Sequence, residues 1–320
     1  MKGSYQITVA NEVVKYEFTI RRNITIIKGD SATGKTTLVE MIREYYEDGE
    51  SSGVHLQCPK ECRVISGRDW KVLLQNTRES IIFIDENNEF LPTPEFADAV
   101  KESDNYFVLV TREGLPNLPY SADEIYGIRV SGKYAGLKQT YNEFYHIYGE
   151  HDFSRDTEPE LLLVEDSNSG FEFFQHRAEE KGYKAVSAGG KSNIFRTLQE
   201  VEGKSVLVIA DGAAFGPEMD RVMKMNARNP QITVYLPESF EWLLLASGVV
   251  SGKEVQDILR NPPVYIDSRE FFSWERFFTH LLTDLTHGTW LQYSKRKLNP
   301  AYLQKGVCER IIAVMEKIKV

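Results

Sequence analysis

One nine-residue run, residues 29–37, constrains the fold of this chain more than any other part of its sequence. The run matches the spacing G-x-x-x-x-G-K-[ST] at every fixed position. An apolar stretch at 24–27 precedes it, and the helix-like stretch that follows has apolar residues at positions 38, 41, 42 and 45. That spacing is typical of one buried helix face. The run therefore predicts a strand, an anion-binding turn and a helix in succession.

The predicted turn would hold a nucleotide through its backbone and two of its side chains. Glycines let N–H groups point inward around an anion, and the start of the helix adds positive partial charge. Lys35 would reach the β- and γ-phosphates of ATP or GTP, and the Thr36 hydroxyl would ligate Mg²⁺. The candidate nucleotide-binding residues are Gly29, Asp30, Ser31, Ala32, Thr33, Gly34, Lys35, Thr36 and Thr37.

A second motif, residues 80–86, is an apolar run that ends in two carboxylates, Asp85 and Glu86. Together with the loop, it resembles the Walker B strand of P-loop NTPases. The resemblance implies that Asp85 holds Mg²⁺ through its water shell and that Glu86 orients and deprotonates the attacking water. A core strand followed by an acidic turn is the alternative interpretation.

A third apolar run, residues 106–110, ends in Thr111 and Arg112. It resembles the strand that carries a polar sensor in P-loop ATPases of the additional-strand class. Thr111 or Arg112 would be that sensor. Arg112 could also be an arginine finger acting on a second copy of the chain, or an exposed arginine after an edge strand. Between Lys35 and Asp85 lie 49 residues, and no Leu-Ser-Gly-Gly run occurs. This short spacing excludes an ABC-type ATPase and favours a compact unit.

The composition indicates a folded, acidic chain. Its 320 residues predict two domains, and the formal net charge of −9 gives no overall attraction to nucleic acid. No apolar run approaches the length of a membrane span, so no membrane partner is expected. Three cysteines are too few for a disulfide scaffold, and we expect a cytoplasmic protein. His55, Cys58 and Cys62 have zinc-like spacing without a fourth ligand nearby, and reduced thiols are the alternative.

The alternation of strand-like and helix-like segments predicts an α/β fold in two domains. Residues 1–150 would form the P-loop NTPase domain, a compact, mostly parallel sheet with an N-terminal β-hairpin beside the loop strand. A polar linker would follow at 149–160. Residues 158–320 would form a second, Rossmann-like α/β domain with strands at 161–164, 184–187, 205–210 and 232–235 and a helical C-terminal stretch from 267.

Two acids follow strands of the second domain: Glu165 follows the first, and Asp211 follows the third. This pattern resembles the Toprim domain of topoisomerases, primases and overcoming-lysogenization-defect (OLD) nucleases, and the domain order resembles that of the OLD family. The resemblance implies that Glu165 and Asp211 bind Mg²⁺ for phosphodiester chemistry. Ala213 stands where that family has a second Asp, and residues 237–241 resemble the acidic element that follows in OLD-type domains.

Several alternatives remain open for the second domain. Glu165 and Asp166 also resemble the acidic pair of a response-regulator receiver, with Asp211 as phosphoacceptor, and acids after strands often cap the next helix. The basic run at 295–297 would meet a phosphate backbone or lie on a solvated face. The sequence thus predicts a Mg²⁺-dependent ATP- or GTP-binding hydrolase that regulates a nucleic-acid-directed Toprim-like domain. The alternatives are a nucleotide-gated nuclease and a non-enzymatic interaction module.

Overall fold

The computed structural model describes residues 1–29, 34–131, 139–148, 158–201, 203–315 and 318. The chain forms two compact units, Met1–Tyr148 with Pro262–Phe272, and Gly149–Asn261 with Ser273–Val320. The α/β class predicted from the sequence is confirmed, because the first unit contains a large mixed sheet and the second a smaller parallel sheet, both accompanied by helices. None of the helices in the described ranges has the length and apolar character to cross a bilayer.

The first unit contains nine described strands and four described helices. The strands are β1 (Tyr5–Ala10), β2 (Val14–Ile20), β3 (Ile24–Ile27), β4 (His55–Gln57), β5 (Cys62–Val64), β6 (Ile81–Ile84), β7 (Tyr106–Val110), β8 (Ile125–Val130) and β9 (Thr140–His146). The helices are α1 (Lys35–Asp48), α2 (Trp70–Gln75), α3 (Pro94–Lys101) and α9 (Pro262–Tyr265), which is numbered by its place in the chain.

These nine strands form one sheet in the order β4-β1-β2-β9-β8-β3-β7-β6-β5. The block β8-β3-β7-β6-β5 is parallel throughout. Every residue of β3, β6 and β7 is buried. Continuous apolar strands of this kind form where both faces of a parallel sheet are covered. Strand β7 lies between β3 and β6, so the ends of these three strands meet at one edge.

The predicted N-terminal hairpin is present, but its predicted position is wrong. β1 and β2 pair antiparallel, with Tyr5 opposite Ile20. However, β2 pairs with β9, and both β9 and β8 separate the hairpin from β3. The sheet is consequently mixed, with five parallel and three antiparallel pairings among its described strands. The cause is β9, a half-buried strand that pairs parallel to β2 on one side and antiparallel to β8 on the other.

The second unit is built on a four-stranded, fully parallel sheet in the order β11-β10-β12-β13. Its strands are β10 (Leu161–Val164), β11 (Lys184–Ser187), β12 (Val206–Ile209) and β13 (Ile232–Tyr235). Its helices are α4 (Ser169–Lys181), α5 (Lys191–Glu200), α6 (Met219–Arg228), α7 (Phe240–Ala246), α8 (Lys253–Arg260), α10 (Trp274–Thr286) and α11 (Lys305–Ile312). The C-terminal stretch is helical only in part, since an irregular segment separates α10 from α11.

The segment Pro262–Phe272 leaves the second unit and packs within the first. The backbone N–H of Gly3 donates to the Pro263 carbonyl at 2.6 Å, and that of Ser268 donates to the Met1 carbonyl at 2.9 Å. The Asn23 side chain donates to the Phe272 carbonyl at 2.8 Å. The predicted division assigned this segment to residues 158–320. Of the predicted linker, residues 149–157 lie outside the described part of the chain.

Candidate functional site

The first candidate site lies at the carboxyl edge of β3, β7 and β6. Ile27 pairs with Val110, and Ile84 pairs with Leu109. Because the three strands are parallel and in this register, the residues that follow them emerge at the same edge. Those residues include Gly29 after β3, Thr111 and Arg112 after β7, and Asp85 and Glu86 after β6.

The side chain of Lys35 reaches back to Gly29, two residues after β3. Lys35 is 5% exposed, and its Nζ donates to the Gly29 carbonyl at 2.8 Å. Gly34 caps α1 in the left-handed region, with φ of 87°. Thr36 and Thr37 are exposed in the first turn of α1. The predicted contacts of Asp30, Ser31, Ala32 and Thr33 lie outside the described residues.

Tyr16 also belongs to this site, and no sequence motif predicts a functional role for it. Its alternation pattern predicts only an inward-facing position in β2. The Tyr16 hydroxyl donates to the Gly34 carbonyl at 2.8 Å, which joins the hairpin to the start of α1. Burial raises the pKa of Tyr16, so its hydroxyl stays a donor at neutral pH.

The two carboxylates after β6 have different surroundings. Asp85 is buried, and its Oδ1 accepts the Glu86 N–H at 2.8 Å. Glu86 is held by a two-pronged ion pair with Arg112, in which Nη2 donates to Oε1 at 2.8 Å and Nε donates to Oε2 at 2.9 Å. The hydrogen bonds from Arg112 lower the pKa of Glu86, and the charges of Arg112 and Lys35 lower it further. Glu86 is therefore an anion within electrostatic range of Lys35.

Thr111, the residue directly after β7, uses its hydroxyl for hydrogen bonds within its own turn. The Thr111 hydroxyl donates to the Glu113 carbonyl at 2.8 Å and accepts the Glu113 N–H at 3.2 Å. Of the two sensor candidates, Arg112 is the one in contact with Glu86. The edge thus brings together an ammonium, two carboxylates and a guanidinium.

The second candidate site lies where the strand order of the smaller sheet reverses, between β10 and β12. Ligands of open α/β sheets bind at this point. The Glu165 Oε2 accepts the Asp211 N–H at 3.1 Å, and the Asp211 Oδ1 accepts the Phe240 N–H at 3.2 Å. Asp166 instead accepts the N–H groups of Asn168 and Gly170, so it caps α4 as the helix-capping interpretation predicts.

A buried ionic network borders these acids, and most of its members are not predictable from the sequence pattern. Glu241 in α7 is 1% exposed. Its Oε1 accepts the Tyr293 hydroxyl at 2.7 Å and lies 3.8 Å from the Lys295 Nζ. Lys295 also donates to Glu275 in α10. The first lysine of the predicted basic patch at 295–297 is therefore partly exposed and paired with carboxylates.

Burial and neighbouring charges change the pKa values of Glu165 and Asp211. The pKa of Glu165 is raised to about 7, chiefly by burial and also by the Glu275 charge, while the hydrogen bond from the Asp211 N–H and the charge of Lys191 act in the opposite direction. Burial also raises the pKa of Asp211 well above its ordinary value, with the charges of Glu275, Glu165 and Glu241 adding to the effect. Lys191 is the lysine of the glycine-rich turn before α5, and its Nζ donates to the Ala214 carbonyl at 2.7 Å.

The residues around Glu165 and Asp211 do not fit a divalent metal as they stand. Within the described ranges, no group of three or more His, Cys, Asp or Glu side chains is arranged to hold an ion. Ala213, where the second Asp would stand, is 3% exposed and offers only a methyl group. The lysine ammonium between Glu275 and Glu241 also competes with any ion there.

Cys58 and Cys62, the cysteines with zinc-like spacing, lie close enough to interact in the first unit. Cys58 is half-buried, Cys62 is buried, and both are free thiols. A hydrogen bond from Cys62 lowers the pKa of the Cys58 thiol to about 7. His55, Cys58 and Cys62 belong to no metal-holding group among the described residues.

Comparison with known families adds no assignment. No protein-family model matches the chain, and no curated protein matches it. The two clusters of side chains described above are therefore the basis for any statement about function.

Proposed function

We propose that the first unit is a Mg²⁺-dependent ATP- or GTP-binding hydrolase of the P-loop type. The observation that carries this proposal is the convergence at one sheet edge of Lys35, Asp85 and the Glu86–Arg112 pair. The order β3-β7-β6 supports it, since β7 lies between the strand that leads to the loop and the strand that ends in two carboxylates. Phosphoryl transfer needs mainly positioning and charge neutralisation, which such an edge supplies.

Each residue has a definite role in this proposal. The Lys35 ammonium would exchange its bond to the Gly29 carbonyl for β- and γ-phosphate oxygens. A hydroxyl and a carboxylate are oxygen donors suited to Mg²⁺, so Thr36 and Asp85 would hold the ion, which neutralises phosphate charge when bound. Glu86 would orient the attacking water and take its proton, and Arg112 fixes the direction of that carboxylate.

We expect Lys35→Ala to weaken nucleotide binding by about 10- to 100-fold, the effect of losing one charge-assisted contact. Titration with fluorescent ATP and GTP analogues, with Mg²⁺ or with EDTA, measures this and gives the base preference. The matched control is Lys101→Ala, an exposed lysine at the end of α3. Unchanged affinity in Lys35→Ala would refute the nucleotide site.

We expect Glu86→Gln to keep nucleotide binding and to lower turnover by about 10²- to 10⁴-fold, the usual contribution of a positioned general base. Phosphate release measures the loss. Glu89→Gln, an exposed acid in the same turn, should leave turnover unchanged. Equal turnover in wild type and Glu86→Gln would assign the base to another residue.

We further propose that the second unit is Toprim-like and that the nucleotide state of the first unit regulates it, with nucleic acid as the partner class. The support is the acid pair Glu165 and Asp211 at the point of strand reversal, together with the resemblance of the domain order. Hydrogen exchange of residues 158–260, with and without nucleotide, tests the coupling. A change that is absent in Lys35→Ala supports it, and identical exchange in both states opposes it.

A non-enzymatic second unit is the other candidate, and Ala213 together with Lys295 favours it over a nuclease. Incubating the full chain with plasmid DNA or RNA, Mg²⁺ or Mn²⁺, and each nucleotide separates the two. Cleavage that Asp211→Asn abolishes supports a nuclease. No cleavage in any nucleotide state supports an interaction module that retains the fold.

A further inference from the structure

The acids at the carboxyl edge of the second unit outnumber the cations beside them. Four carboxylates contribute: Glu165 after β10, Asp211 after β12, Glu241 in α7 and Glu275 in α10. Contacts link them, since the Glu165 Oε2 accepts the Asp211 N–H at 3.1 Å and the Lys295 Nζ contacts both Glu241 and Glu275. Carboxylates that share a site in this way require a cation or a proton.

Glu241 is the member for which burial is most costly. It is 1% exposed, its Oε1 accepts the Tyr293 hydroxyl, and its Oε2 has no hydrogen-bond partner among the residues that the structure describes. A carboxylate removed from water in this state is stable only with a nearby opposite charge. The nearest described cation is the Lys295 ammonium, 3.8 Å from Oε1.

Lys295 is also held in place by its own backbone. The Lys295 carbonyl accepts the Ser169 N–H at 3.2 Å. The Ser169 hydroxyl bonds to the Tyr293 hydroxyl at 2.8 Å, and the same Tyr293 donates to Glu241. The start of α4 thus fixes residues 293–295 against the acids, and the side chain of Lys295 then reaches Glu275 as well.

We propose that the Lys295 ammonium is the resident cation of this carboxylate cluster, so that the second unit takes no divalent metal there while Lys295 is in place. The hydrogen bond of Lys295 to Glu275, its ion pair with Glu241, the Glu241 Oε2 that lacks a partner among the described residues and the methyl group of Ala213 carry the proposal. It is independent of nucleotide binding by the first unit. In chemical terms, the Lys295 side chain supplies the positive charge that an exchangeable metal ion would otherwise supply.

Manganese binding by the nucleotide-free full chain tests this, with electron paramagnetic resonance as the readout of free Mn²⁺. Wild type should bind no Mn²⁺ that depends on Glu165 or Glu241 up to about 1 mM, the weak end of carboxylate sites. Lys295→Met keeps the length of the side chain and removes the charge. This variant should bind about one Mn²⁺ below that concentration, and adding Glu241→Gln should abolish the binding.

Stability gives a second readout of the same variants. Lys295→Met should melt below wild type in EDTA and recover part of the difference in Mn²⁺. Lys297→Met, an exposed lysine two residues away, should match wild type in both assays. Lys295→Arg keeps the charge and should bind no Mn²⁺, which supplies a test if Lys295→Met does not fold.

Either of two results would overturn the proposal. The first is Mn²⁺ binding by wild type or Lys295→Arg that Glu165→Gln removes, because an ion would then enter beside the lysine. The second is a folded Lys295→Met chain that takes up no Mn²⁺, whatever its stability, because the lysine would then not be standing in for an ion.

Discussion

At the scale of single residues, the start of α1 depends on a glycine and a tyrosine that are 18 positions apart. Gly34 has φ of 87°, a conformation that side chains with a Cβ rarely adopt. A Cβ on Gly34 would also lie 2.7 Å from the Tyr16 hydroxyl oxygen. Glycine is therefore required here twice, once by the backbone and once by the neighbour.

Gly34→Ala should lower the free energy of unfolding of the first unit by about 1–3 kcal/mol, measured by urea titration. Gly53→Ala is the matched control, because Gly53 has φ of 74° and open space around its missing Cβ. It should show only the backbone part of the effect. Combining Gly34→Ala with Tyr16→Phe should recover the remainder, and equal losses in the two single glycine variants would contradict the contact.

At the scale of elements, both sheets have their candidate functional residues directly after parallel strands. In the first unit, the ends of β3, β7 and β6 gather residues far apart in sequence. In the second unit, β10 and β12 place Glu165 beside Asp211, and the helices that follow bring further acids. The balance of charge differs between the edges, because the first has buried Lys35 and exposed Arg112 beside two acids, whereas the second has the partly exposed Lys295 beside Glu241 and Glu275.

Glu165→Gln should make the stability of the second unit less dependent on pH. Burial raises the pKa of Glu165 from about 4.3 when unfolded to about 7 when folded. The folded state therefore binds more protons than the unfolded state between these values, so stability falls as pH rises through this window. The variant should lose about 1–3 kcal/mol less than wild type between pH 5 and pH 8.

Urea midpoints at both pH values measure this difference. The control is Glu200→Gln, an exposed acid at the end of α5, which should retain the wild-type dependence. Parallel curves for wild type and Glu165→Gln would show that the burial of Glu165 does not act on folding.

Elements with continuous apolar runs were predictable, and half-buried or long-range features were not. β7, β10 and β13 have the predicted bounds. β11 also has its predicted bounds and is an exception, because its residues are exposed or half-buried. β9 was missed because its side chains are mostly half-buried and give no clear alternation. The contact of Lys295 with Glu241 and Glu275 was missed because a charged run at 295–297 has the same appearance whether it faces water or an acid cluster.

At the scale of the whole molecule, neither unit is a continuous stretch of chain. The first is completed by Pro262–Phe272, which bonds to Met1, Gly3 and Asn23. No sequence signal distinguishes this segment, since its apolar residues would pack equally well in either unit. A domain boundary at the polar stretch near residue 150 therefore marks where the chain passes from the first unit to the second. It does not account for Pro262–Phe272, which belongs to the first unit again.

A fragment of residues 1–148 should accordingly be less stable than the same unit in the full chain. Loss of the hydrogen bonds that Met1, Gly3 and Asn23 make with the returning segment predicts a difference of about 2–4 kcal/mol. Amide hydrogen exchange in β1 and β3 measures it in both forms. A synthetic peptide of residues 262–272 should restore part of the protection and a scrambled peptide should not, whereas equal protection in fragment and full chain would contradict the role of the segment.

Because Pro262–Phe272 belongs to the first unit, that unit can be completed only late in translation. A ribosome makes residues 149–261 between the two pieces of that unit, which takes on the order of 6 to 20 s at bacterial and eukaryotic elongation rates. During that interval the Met1 carbonyl and the Gly3 N–H lack their hydrogen-bond partners, Ser268 and Pro263, which have not yet been translated. The part of the protein that emerges first is thus unable to finish folding until residue 272 has left the exit tunnel.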